Sequence, residues 1–60
     1  MSKGAFLAAV EQVMDQAERG AIRQDLWYAR WAETGQVPWG WRASDEAVEA
    51  EFARRRAVTA

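Results

Sequence analysis

The chain has sixty residues with no cysteine and no histidine, which excludes disulfides, thiolate metal sites and imidazole chemistry. Its net charge is −1, so neither nucleic acid nor an anionic membrane is indicated as a partner. A chain of this length forms one domain (1–60) with marginal stability. Its apolar burial and the cost of ordering it both come to about 90 kcal/mol, which favours self-association or docking on a larger partner.

Residues 4–34 read as one long helix. Phe6, Val10, Val13 and Ala17 recur at spacings of four and three, and Leu7 and Met14 widen the stripe. Glu11, Asp15, Glu18 and Arg19 occupy the other face, where Asp15 and Arg19 are spaced for an i,i+4 pair. Ser2 is placed to cap the N-terminus. The run holds no stretch of eighteen apolar residues, Glu11 interrupts it as a signal peptide, and serine at position 2 excludes myristoylation. A soluble cytoplasmic protein is expected.

Gly20 allows two readings. No capping residue follows it at 21–24, and the helical pattern resumes with Ile22, Leu26 and Ala29, so a continuous helix bent at Gly20 is favoured. The alternative is a monomeric three-helix bundle broken there. The end of the helix is clearer: Gly35 follows Thr34, and Pro38 lies three residues beyond. A connection over 35–43 leads to Ser44 or Asp45, either of which caps a last helix at about 45–57. That helix has acidic residues first and arginines last, in keeping with its dipole. The terminal "AVTA" is expected to fray.

The chemistry is sparse. Glu11 with Asp15, and Glu46 with Glu49, share helix faces, but paired carboxylates need a cleft to separate their pKa values, so these read as solvated faces. No phosphate-binding loop or calcium-binding loop is present, and an enzyme, a cofactor or a metal is not expected. The only basic cluster, Arg54, Arg55 and Arg56, follows Glu46, Glu49 and Glu51 on one helix. A recognition helix that meets DNA with acidic residues at its start would be repelled, so nucleic acid is disfavoured. The run is read as balancing the dipole, with Glu51 pairing to Arg54 or Arg55.

Four tryptophans are the main surplus. Trp27 and Trp31 project alike from the long helix, with Tyr28 about a hundred degrees round. In "VPWGW", an extended backbone would put Trp39 and Trp41 on one face, folded back over the helical aromatics, with Pro38 flat on an indole. Arg30 and Arg42 are placed to stack on the rings. The six residues Trp27, Trp31, Trp39, Trp41, Arg30 and Arg42 form the candidate protein-binding site, since Trp and Arg dominate binding hot spots.

The expected architecture is an all-α helical hairpin with a long N-terminal and a shorter C-terminal helix. The short arm, at 1.5 Å per residue, cannot cover the long one, so an N-terminal stripe stays bare and the hairpin is expected to dimerise into a helical bundle. The expected function is a small non-catalytic interaction module, such as a regulator, inhibitor or accessory subunit, whose partner is another protein. The alternative is a small DNA-binding transcriptional regulator.

Overall fold

In the computed structural model, which describes residues 2–59, two helices form an antiparallel hairpin: α1 (Lys3–Thr34) and α2 (Asp45–Thr59). The long helix runs unbroken through Gly20, so the three-helix alternative is not the fold. One glycine costs only about 1 kcal/mol in a helix, less than two new helix ends. Ser2 caps α1, its hydroxyl accepting from the Ala5 amide at 3.1 Å. At the other end Gly35 adopts φ 74°, and its amide donates to the Trp31 carbonyl at 2.9 Å. That left-handed step is readily open only to glycine, and it stops the helix.

Of the two candidate caps for α2, Ser44 does the capping. Its hydroxyl accepts from the Ala47 amide at 3.1 Å. Residues 57–59, expected to fray, are helical: α2 continues to Thr59, whose hydroxyl donates to the Arg55 and Arg56 carbonyls, while Ala60 lies outside the described residues.

The core is small. Ile22, Ala43 and Val48 are buried, with Leu26, Trp41 and Phe52 packed around them. The molecule is consequently elongated, 49 × 25 × 15 Å, with a radius of gyration of 14.8 Å. A compact chain of this length would have about 10 Å.

The way α2 meets α1 was not legible in the hydrophobic pattern. Val13 and Ile22 are nine residues apart, and at about 100° per residue they lie on opposite sides of the helix. α2 takes the Ile22–Leu26 side. Continued toward the N-terminus of α1, that side carries Asp15, Glu18 and Arg19. Asp15, Glu18 and Arg19, expected to be solvated, are therefore on the side that α2 approaches, while Glu11 stays exposed, and ion pairs join the helices around the Ile22–Val48 core. Arg19 binds Glu49 through two nitrogens, and Arg56 binds both Asp15 and Glu18. Arg55 bridges to Asp25 at 3.0 Å, and Arg23 holds Asp45 and the Ala43 carbonyl. The expected Asp15–Arg19 pair gives way to these, because each side chain finds a partner on α2. The Arg19 and Arg56 guanidiniums also lie over the Phe52 ring, 4.4 and 4.5 Å from its centroid.

Candidate functional site

The loop that joins the helices decides where the tryptophans go. The Trp41 amide donates to the Pro38 carbonyl at 3.1 Å, closing a four-residue turn with Gly40 at φ 78°. A positive φ at the third position of a turn favours glycine. The turn corrects the expectation of an extended W-G-W with both rings on one face: it sends the two indoles apart. Trp41 turns inward, half-buried against the Ile22–Val48 core, with the Arg30 guanidinium 5.6 Å from its ring centroid. Trp39 turns outward and is 84% exposed. Pro38 meets an indole through its carbonyl, which accepts the Trp27 indole N–H at 3.2 Å.

Around Trp27 an aromatic cluster forms. Its ring centroid lies 5.3 Å from Tyr28 and 5.7 Å from Trp31, both edge-on, and 6.3 Å from Trp39. Tyr28 and Trp31 stack at 6.3 Å with only 19° between their planes. Such pairs add stability beyond the area they cover. The structure thus brings Trp27, Trp31 and Trp39 together and assigns Trp41 to the core. Arg30 stacks as expected, on Trp41. Arg42 makes no ring contact among the described residues; it is exposed and flanks a groove of about 590 Å³ beside Gly20, Gln24, Trp27 and Trp41. Arg30 and Arg42 are the two arginines without an ionic partner among the described residues; Arg30 lies over Trp41, and Arg42 lines the groove shared with Trp27 and Tyr28.

A second apolar surface lies on the N-terminal half of α1. Phe6, Leu7, Val13 and Met14 are more than half exposed and Val10 is 37% exposed, around a shallow cleft of about 280 Å³. This bare stripe was expected from the unequal arms. It shares a side of α1 with Tyr28 and Trp31: from Phe6, steps of four and three lead through Val10, Val13, Ala17, Gly20, Gln24 and Trp27 to Trp31. No charged residue interrupts that line.

Ion pairs are concentrated between the helices and along α2. Glu51 accepts from both Arg54 and Arg55, which satisfies each of its two expected partners, and these bonds hold its carboxyl at about 2, below the ordinary 4.5. The arginine run is more than a dipole counterweight, since Arg55 and Arg56 also cross to α1. Sequence reasoning missed Arg19, Arg23, Arg55 and Arg56 as an inter-helix clamp. The only signal was an abundance of arginine facing acidic residues, with no indication of which helix face would meet which. Among the described residues no helix is long and apolar enough to cross a membrane.

Comparison of the chain with protein-family models, with curated proteins and with solved structures found no match.

Proposed function

We propose that the chain is a small non-catalytic protein-interaction module. It works in the cytoplasm without a cofactor, binds another protein through the aromatic surface around Trp39, and self-associates through the stripe on α1. One observation carries this reading: the hairpin is joined largely across the polar side of α1, while most of the large apolar side chains of that helix face outward. A lone globule gains by the reverse arrangement, because covering apolar surface is the main driving force of folding. Trp39 packed on Trp27, with Arg42 lining the groove on which Trp27 also opens and Arg30 over Trp41, gives the loop the composition of a binding hot spot and suits a partner carrying an apolar side chain flanked by acidic ones.

This reading is preferred to DNA binding because Arg54, Arg55 and Arg56 all hold carboxylates of the chain itself. The test is capture of partners from cells that encode the protein, with the full chain and with Trp39→Ala. The variant is expected to keep the helical content and lose the captured protein; retention of every captured species would refute the assignment. A steep fall of log affinity for duplex DNA with log salt would favour the regulator instead.

A further inference from the structure

We infer that the occupant of the exposed stripe is a second copy of this chain, lying antiparallel along α1 with the two-fold axis near residues 18 and 19. The inference rests on the reading of the chain as an interaction module and adds the orientation and register of its self-association.

The surface area calls for an occupant of this size. A folded monomer of 6.8 kDa exposes about 4,000 Å² by the usual scaling. This chain exposes 4892 Å². The excess, about 900 Å², is close to the 800 Å² that each partner contributes to a standard interface.

The spacing gives the mode. Alternating steps of four and three are the a/d repeat of a helix pair. In that repeat Leu7, Met14, Ala21 and Tyr28 all fall at e, which widens the apolar seam, while Ile22 falls at f and faces α2.

Side-chain size gives the orientation. The seam is bulky at both ends and small in the middle, and its middle coincides with the midpoint of α1. With helices antiparallel about that midpoint, Phe6 meets the partner's Trp31, Val10 meets the partner's Trp27, and Val13 meets the partner's Gln24. Ala17 and Gly20 of the two copies then cross where the axes are closest. A parallel pair stacks Trp27 and Trp31 on their own copies and wedges one end open. Gly20 fits the antiparallel crossing. It is the weakest helix former short of proline, and a Cβ placed there would meet nothing within 4 Å in its own chain. No contact within the hairpin requires a glycine at that position, whereas a second backbone approaching closely does.

Charge agrees. α1 has no acidic residue in its first turn and no basic residue in its last. Lys3 stands at the positive end of the helix dipole and Glu33 near the negative end, each opposed to the field of its own helix. Neither has an ionic partner among the described residues. In the antiparallel pair Lys3 lies beside Glu33 and the C-terminal end of the partner helix, so both positions become favourable.

The experiment is sedimentation equilibrium on the full chain, with Val13→Glu and Gly20→Leu, followed by distance measurement between spin labels on Ala5→Cys, in a chain that has no cysteine of its own. The wild type is expected to be a dimer. Both variants are expected to keep their helical content, since Val13 is exposed and Gly20 faces open space, and to raise the dimer Kd at least tenfold. The labels are expected about 40 Å apart, from 1.5 Å per residue over the helix. A label distance of about 10 Å means a parallel pair and overturns the inference, as does dimerisation unaffected by either variant. A wild type that stays monomeric also overturns it; if Trp39→Ala still abolishes partner capture in that case, the interaction-module reading survives alone.

Discussion

Trp39 and Trp41 differ by one glycine in position and by everything in environment. The turn closed at Gly40 sends one indole into the Ile22–Val48 core and leaves the other in solvent. Replacing a buried aromatic by alanine costs about 3–5 kcal/mol, and a half-buried one about half of that. Trp41→Ala is therefore expected to lower hairpin stability by about 2 kcal/mol, and Trp39→Ala by less than about 0.5 kcal/mol, as for most surface changes. Thermal melting of the two variants side by side checks this. Equal losses would mean that Trp39 is part of the core and not a free contact. The same comparison bears on why a small chain carries two tryptophans in one loop: one closes the hairpin, and the other is exposed and, in the function proposed above, is left for a partner.

At the scale of the element, α2 is short and its apolar stripe thin, so its own ion pairs matter. Glu51 bonds Arg54 and Arg55 three and four residues on, one turn away. Its carboxyl sits at about 2 in the fold against an ordinary 4.5, because those two guanidiniums favour the charged form. A depressed carboxylate adds stability above the unfolded value and loses it as pH falls through the folded one. Helical content is thus expected to be flat above about pH 5 and to fall progressively between 4.5 and about 2. In Glu51→Gln the fall should be shallower and the neutral-pH helicity lower. Circular dichroism across that range is the measurement, and identical acid profiles would show that Glu51 contributes nothing.

On the scale of the whole molecule, the two helices are held by a small core and a wide ring of exposed ion pairs. Arg19, Arg23, Arg55 and Arg56 each reach a carboxylate on the other helix. Exposed pairs are weak singly and screened by salt, whose Debye length shrinks to about 3 Å at 1 M. Raising sodium chloride from 0.05 M to about 1 M is expected to lower the melting temperature of the isolated hairpin by a few degrees. A rise in melting temperature would mean that apolar burial dominates the helix–helix contact. Covering apolar surface is not screened in this way, so association through the stripe on α1 should persist at high salt.

The sequence by itself determined the elements. Ser2, Gly35 and Ser44 act through local hydrogen bonds and local dihedral angles, so caps and helix limits could be read from single residues and their near neighbours. It also determined that one arm is too short to cover the other, because helix length follows directly from residue number. The faces were another matter. Periodicity marks the apolar stripe of α1 but carries no information on which side α2 approaches. Only the tertiary structure decided that α2 lies against Ile22 and the Asp15–Arg19 side, that Arg55 and Arg56 serve as cross-links, and that Trp41 and Trp39 part company. The physical reason is range: caps and turns are settled within four residues, whereas the arginine clamp joins residues 22 to 41 positions apart and exists only once the chain has reversed.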